Sequence, residues 1–503
     1  MSRVSELQRR LGLADAVVVG VGSMVGAGAF VAWAPAASAA GSGLLIGLLI
    51  AGFVALCNAT SSAQLAALHP ESGGTYIYGR ERLGAGWGHL AGWGFVVGKI
   101  ASSCAMALAA GAYLAPGHER AVAIGAVIAI VGVNLGGLTR TVTVTRFLLA
   151  ASLLALATVV AAGWSGPSTS IDRLLPLDTD PLGILQSAGF LFFAFAGYAR
   201  IATMGEEVRD PTVTIPKAIP RALVGVLALY AIVGITTLAT VDASDLAGSD
   251  APLRLVVESA GHPGLAPVVR IGAGIACLGV LLNLIPGVSR TVLAMARNGE
   301  LPTALAPISR SVPLRAELTV GAVVVILIAV LDITSSIAVS GVAVLTYYAI
   351  TNAAALTLPS ELRRWPRAVA MAGLAGCVVL VVCLPWRAVV SGVAVLGLGV
   401  LVRAVATGRR PALRVLAVTE GVTYLVLMAA VIAHRVFDAR NLVPAVGLAH
   451  GVVYLAYAAM VLSVSRRERW DPHRTLIALV IAVVPFGGFV VASRIRGATP
   501  NRR

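Results

Sequence analysis

The sequence predicts an all-α protein embedded in a lipid bilayer, and three observations carry that prediction. Of its 503 residues, 58% are hydrophobic and only 12% are charged, against roughly 25% charge in a soluble domain. Mean hydropathy is +0.89. The apolar residues gather into roughly fifteen runs, each near the ~20 residues that a helix needs to cross the hydrocarbon core. Helices are the open-chain solution there, because lipid offers backbone N–H and C=O groups no partner. Alternating strands of barrel type are absent from the pattern.

In chain order the first twelve predicted spans run Ala14 to Ala40, Gly43 to Leu68, Gly86 to Leu114, Val122 to Leu138, Phe147 to Gly163, Leu182 to Met204, Ala218 to Thr240, Pro267 to Ala296, Leu318 to Leu331, Ile333 to Leu358, Val369 to Leu384 and Val389 to Ala406. A basic, proline-bearing junction at Thr407 to Pro411 separates them from Leu413 to Ala433, Leu442 to Val464 and Leu476 to Val491. The expected domains are therefore 1–408 and 409–503.

The net charge of +15 would point to nucleic acid in a soluble chain. Here the arginines fall between apolar runs, so they read as topology signals and no nucleic-acid partner is expected. With Arg3, Arg9 and Arg10 on the cytoplasmic side, the arginine-rich loops (Arg80 and Arg82, Arg140 and Arg146, Arg209 and Arg221, Arg363 and Arg364) share that side, as the positive-inside rule requires. An odd number of spans would place Arg494, Arg496, Arg502 and Arg503 opposite; the pattern leaves fourteen or fifteen spans open. The run after the N-terminus is too long for a signal peptide. All five cysteines, Cys57, Cys104, Cys277, Cys377 and Cys383, fall in apolar stretches without disulfide or zinc spacing.

The first span holds Gly20, Gly22, Gly26 and Gly28 around Ser23 and Met24. Glycine at this density costs helix stability and permits a mid-membrane break, although close helix packing through small residues would use the same sequence. The sixth span carries Phe193-Ala194-Phe195-Ala196-Gly197-Tyr198-Ala199-Arg200, with a glycine and a cation where an unbroken lipid-facing helix wants neither. Interruptions at matching positions of two five-helix halves point to a solute site built on an inverted repeat. N–H groups around Gly26, Ala27 and Gly28 would suit a carboxylate, and carbonyls near Gly22 and Ser23 an ammonium. Such a pairing fits a zwitterion. Phe193, Phe195 and Tyr198 would wall or gate the site, or simply pack the bundle.

Gly22-Ser23-Met24-Val25-Gly26-Ala27-Gly28-Ala29-Phe30 resembles the Gly-Ser-x-x-Gly-x-Gly-x-Phe signature of the amino acid-polyamine-organocation permeases. Gly205-Glu206-Glu207-Val208-Arg209-Asp210-Pro211 followed by Ile215-Pro216-Lys217, Ser289 to Pro302, and Tyr347-Tyr348-Ala349-Ile350-Thr351-Asn352 are similar to other hallmarks of that family. The resemblance covers about Leu11 to Ala406. It implies a LeuT-like five-plus-five inverted repeat with discontinuous helices 1 and 6 and two further helices. It also implies a plasma-membrane permease that moves amino acids by alternating access, as a proton-coupled symporter, with no cofactor beyond a proton or sodium ion. An exchanger, an exporter, or a non-transporting sensor or scaffold on the same fold are the alternatives. An enzyme is not expected, because no nucleophile-base pairing, metal cluster or phosphate loop is present.

Two departures bear on mechanism. Many relatives carry a glutamate after the sixth-helix glycine, where this chain has Ala199 and then Arg200, which disfavours strongly cationic substrates. Some proton-coupled members use a lysine in the fifth helix; here that stretch has none and aligns with Ser152. Lys99, one of two lysines in an arginine-rich chain, lies mid-span in the third helix. An ammonium there can take up and release a proton, whereas guanidinium stays charged; a snorkelling or carbonyl-satisfied lysine is the plainer reading. Glu206 and Glu207, beside Arg209, form either a gate or a solvated helix end. From Leu413 onward the chain resembles a three-helix bacterial membrane domain of unknown function, in which Glu420 and His450 are ionisable groups inside the membrane.

Overall fold

The computed structural model describes residues 11–69, 73–135, 142–175, 180–198, 201, 208–309, 312–407, 410–437, 443–484 and 486–496. Among these the chain is nearly all helical; the extended contacts are two isolated bridges, Leu11 with Val208 and Ser309 with Val312. Among the described residues, nine helices are long and apolar enough, by length and composition, to cross a membrane. The chain packs as two units, Met1–Ala294 with Ala304–Leu396, and Met295–Thr303 with Gly397–Arg503.

The first span is three pieces, α1 (Leu13–Met24), α2 (Ala27–Val31) and α3 (Trp33–Ala40). Then follow α4 (Leu44–Leu68), the short α5 (Thr75–Leu83), α6 (Ala85–Leu114), α7 (Glu119–Leu135) and α8 (Val142–Ser165). The second half opens with α9 (Pro181–Phe195), which ends in a 3-10 turn at Ala196–Tyr198. It continues through α10 (Pro211–Thr240), the short α11 (Ala243–Ala247) and α12 (Pro252–Ser259), α13 (Ala266–Arg297), α14 (Leu314–Val330) and α15 (Ile333–Leu356). Two further helices, α16 (Arg367–Cys383) and α17 (Trp386–Thr407), complete the twelve expected spans.

Local chemistry explains the boundaries. The Asp180 side chain accepts from Leu182 N, and Pro181 supplies the preset φ of a first helical residue. Asp332 likewise caps α15 by accepting from Ser335 N at 2.6 Å. Pro211 begins α10, whereas Pro216 and Pro220 lie inside it and each removes a ladder donor.

Apolar faces alone do not set helix register in lipid, so buried polar pairs matter. Asn134 Nδ2 donates to Glu317 Oε1 at 2.9 Å between α7 and α14. Ser102 and Ser340 pair at 2.8 Å between α6 and α15. Asn352 Nδ2 donates to Asn58 Oδ1 at 2.6 Å between α15 and α4. The second unit contains α18 (Arg410–Phe437), α19 (Val443–Glu468), α20 (Pro472–Ile481) and α21 (Gly487–Arg496). Its core gathers Leu413, Ala417, Tyr457, Met460, Val461 and Val464, with Ala404 and Val405 of α17 packed against it. The last apolar run is therefore two helices, the second beginning at Gly487-Gly488, residues that disfavour helix.

Backbone proximity at the first break gives a stability test. A methyl added at Gly28 would overlap Ala194 Cα, whereas one added at Gly225, in α10, meets nothing within 4 Å. Gly225→Ala should hold or raise the melting temperature, since alanine is favoured over glycine in a helix by about 1 kcal/mol. Gly28→Ala should lower it, by the ~1–3 kcal/mol typical of overpacking. A thermal-shift comparison of the two variants in detergent checks the contrast.

Candidate functional site

The first interruption is Val25 and Gly26, between the end of α1 and the start of α2. Gly26 takes φ −137° and ψ −145°, outside the helical region. Its N–H turns back to Met24 O at 2.8 Å. Ala27 and Gly28 thus become the first residues of the next helix, where N–H groups have no intrahelical acceptor. The ladder then runs on through Ala32, which donates to Gly28 O and accepts from Ala36 N. The second interruption is the change from α-helix to 3-10 turn at Ala196. Residues 199–200 and 202–207, and with them Ala199, Arg200, Glu206 and Glu207, lie outside the described residues.

The two interruptions touch. A Cβ at Gly197 would overlap the Ser23 carbonyl oxygen and approach Met24 N at 2.7 Å, so glycine is required for this approach. Gly28 meets the Ala194 backbone in the same way. Ser23 and Met24 are thereby brought against Gly197, and Gly28 against Ala194, whereas Gly26 faces Val280.

Three side chains hold the exposed carbonyls. Lys99 Nζ donates to Ala196 O at 3.3 Å, and Tyr348 OH donates to the same oxygen at 3.3 Å; one carbonyl has two lone pairs and can accept both. Tyr230 OH lies 2.8 Å from Met24 O and 3.2 Å from Ala194 O. It has a single proton to share between two carbonyls, one from each broken helix. Lys99 stands midway along α6, ~21 Å from either end at 1.5 Å per residue, and is 7% exposed. Among the described residues it forms no ion pair. Its ammonium is satisfied by unwound backbone at the centre of the site.

The aromatic residues divide. Tyr198 stacks on Tyr348 with ring centroids 5.1 Å apart, so it lines the second break. Phe195 is buried against Tyr230 at 5.2 Å, and Phe193 is 6% exposed; both serve packing at least as much as any wall. The Ser23 hydroxyl is turned onto Val19 O at 2.7 Å, which leaves its backbone carbonyl as the feature facing the other break. Gly22 is partly buried within α1. Ser152 donates to Leu148 O within its own helix and joins no site contact.

Sequence reasoning missed Tyr230 altogether. It is a lone tyrosine in an apolar run, with no motif around it. Tyr348 was present in the tenth-span motif, whose other members also find partners: Tyr347 OH accepts from Thr75 N at 3.1 Å, and Thr351 meets Thr75 at 2.7 Å. Near the start of α1, Asp15 pairs with Arg146 at 2.6 Å, and Arg209 N donates to Leu11 O at 2.8 Å beside the Leu11–Val208 bridge. These contacts tie the beginning of the first span to the segment before α10 and to α8, where a gate residue was sought at Glu206 and Glu207.

Residues 11–432 match the family described as amino acid permease, and residues 411–496 match a domain of unknown function, DUF3817. An uncharacterized transporter of Mycobacterium tuberculosis is 55% identical over 398 residues, covering 78% of this chain and 90% of that protein. A branched-chain amino acid permease of Bacillus subtilis is 27% identical over 328 residues, 60% of this chain and 70% of its own. A mitochondrial cationic amino acid transporter of Arabidopsis thaliana is 25% identical over 363 residues, 65% and 58% respectively. Family and relatives are transporters, not enzymes. With two interrupted helices meeting at bare backbone and a matching family spanning most of its length, this chain belongs to the amino acid permease family.

Proposed function

We propose that this protein is a secondary active transporter that carries amino acids across the plasma membrane by alternating access, as a proton-coupled symporter with its N-terminus in the cytoplasm. The observation that carries the reading is the meeting of the two interruptions, Gly197 on the Ser23 carbonyl and Gly28 on Ala194. Unpaired N–H groups at Ala27 and Gly28 would receive a substrate carboxylate, and carbonyls of the breaks its ammonium. No formal countercharge is needed for a zwitterion. The names of relatives span branched-chain and cationic amino acids, so the substrate class rests on the site. A buried lysine there favours neutral or acidic amino acids over cationic ones.

Lys99 is the proposed proton carrier. Protonated, it makes a charge-assisted hydrogen bond to Ala196 O; loss of the proton weakens that bond and loosens the hold on the turn that begins the second break. Tyr230 is the proposed positioning residue, since its hydroxyl links carbonyls of both broken helices.

Uptake by proteoliposomes, measured for a panel of amino acids and polyamines under a pH gradient and separately under a sodium gradient, tests the reading. Neutral or acidic amino acids should accumulate under an inward proton gradient. Binding without flux under either gradient would leave a sensor or scaffold instead.

Lys99→Gln should abolish pH-driven accumulation while the protein still folds and still exchanges substrate between equal pH. A pH dependence identical to that of the parent chain would remove Lys99 from coupling.

Tyr230→Phe loses one hydrogen bond of about 1 kcal/mol, or ~5-fold. The loss should fall mainly on the maximal transport rate, with KM changed less, because the hydroxyl contacts the moving helices rather than the solute. An equal melting temperature with an unaltered rate would show that the link is dispensable.

A further inference from the structure

Glu420, in α18 of the second unit, is 0% exposed, and neither of its carboxyl oxygens has a hydrogen-bond partner. Among the described residues it enters no ion pair. Tyr457 lies within electrostatic reach of it, and at the beginning of α21 a Cβ at Gly488 would overlap both Glu420 Oε2 and Ala417 O. The first turn of α21, a ten-residue helix, thus lies against this carboxyl group.

The neighbouring titratable groups are committed elsewhere. His450 of α19 does not pair with Glu420. Its Nδ1 lies 3.1 Å from Thr423 Oγ1, which donates to the backbone oxygen of Glu420 at 3.0 Å, so Nδ1 carries the ring proton. The His450 ring also stands edge-on to Tyr424 at 5.2 Å. Tyr457 of α19, within electrostatic reach of Glu420, gives its hydroxyl proton to Ala478 O at 2.6 Å. The charged residues of α20, His473 and Arg474, are in its first turn, with Arg474 stacked 4.2 Å over Trp470. Those of α21, Arg494 and Arg496, are in its last turn.

A carboxylate stripped of water and of every donor is among the least tolerable groups in a membrane, whereas the neutral acid is far less costly. The positive end of α21 is the feature that would ease the charged form when it appears. We propose that Glu420 is a proton-binding site of the C-terminal unit: it holds its proton as a buried carboxylic acid and releases it to solvent, as a carboxylate facing the first turn of α21, when the pH rises. The step is the loss of one proton from the carboxyl O–H, with no other bond made or broken.

The test uses the full chain in lipid vesicles. The infrared difference between the parent protein and Glu420→Gln should contain a carboxylic-acid C=O stretch at low pH that gives way to carboxylate bands as pH rises. Glu420→Leu supplies the same difference should the glutamine variant fail to fold. Dicyclohexylcarbodiimide, which reacts with the acid and not the carboxylate, provides a second readout. The O–H adds across the C=N bond, the proton passes to nitrogen, and the acyl group then migrates to nitrogen to leave a stable acylurea. Peptide mass spectrometry should find that adduct on Glu420, declining ~10-fold per pH unit above the midpoint. A difference spectrum with carboxylate bands alone over the whole pH range would overturn the proposal, and so would carboxylate bands that shift with sodium or potassium, which would assign the site to a metal cation.

Discussion

Everything in the first unit depends on two stretches of backbone coming close enough to touch inside a lipid-embedded bundle. Gly28 lies against Ala194 and Gly197 against the Ser23 carbonyl, with no room for a β-carbon at either contact. Backbone that leaves the helix at membrane depth must be buried in protein or line a cavity. Here each interruption shields the other, and helices α6, α10 and α15 close around them with Lys99, Tyr230 and Tyr348. The cost of unwinding is offset by polar side chains from rods that are themselves regular.

That arrangement has a mechanical consequence. The carbonyls of Met24, Ala194 and Ala196 are reached by the side chains of Lys99, Tyr230 and Tyr348, and Met24 O also accepts from Gly26 N. Ladder bonds can be exchanged only by unwinding a turn. A tyrosine proton shared between two carbonyls can change partner by a small rotation, and a lysine can loosen its grip by losing charge. The half-helices are therefore joined through contacts that have two inexpensive states, which is the property a moving element needs. The contacts at Leu11, Asp15 and Arg209 are of the same exchangeable kind, exposed or made by single backbone bonds, and a surface ion pair such as Asp15–Arg146 contributes at most about 1 kcal/mol.

Much of this was legible in the sequence because membrane spans are long and their composition is extreme. Among the described residues the fifteen apolar runs are mostly helix, the first and last of them in pieces, and the glycines around Ser23 and the Phe193 to Tyr198 stretch lie at the two interruptions. Lys99 was visible as a lysine in an arginine-rich chain. What could not be read were partners contributed by residue types that occur everywhere in such bundles. Tyr230 lies in an unremarkable run, and its importance comes only from the two carbonyls that tertiary packing brings to it. The aromatic pair Phe193 and Phe195 shows the reverse: a conspicuous pattern whose side chains pack into the bundle. The break before Gly487 was hidden because one proline and two glycines also fit a kinked continuous span.

The chain contains two solutions to the problem of charge in lipid, and they differ in kind. At the first and sixth spans the polar groups are peptide dipoles, which cannot titrate, plus a lysine whose nearest partner is itself a peptide carbonyl. In the proposed solute site the peptide dipoles would face both ends of a zwitterion, with Lys99 as the one ionisable side chain named there. At the break between α20 and α21 the polar group is a side-chain carboxyl with no donor at either oxygen. It can hold only something that cancels its charge, and the closeness of Gly488 to Oε2 leaves little room beside it on that face. A proton is the smallest such ligand and needs no coordination shell. The same structural device, a helix interrupted at glycine, thus serves both proposals: a solute site where backbone is left bare, and a proton site where an acid is laid against the new helix end.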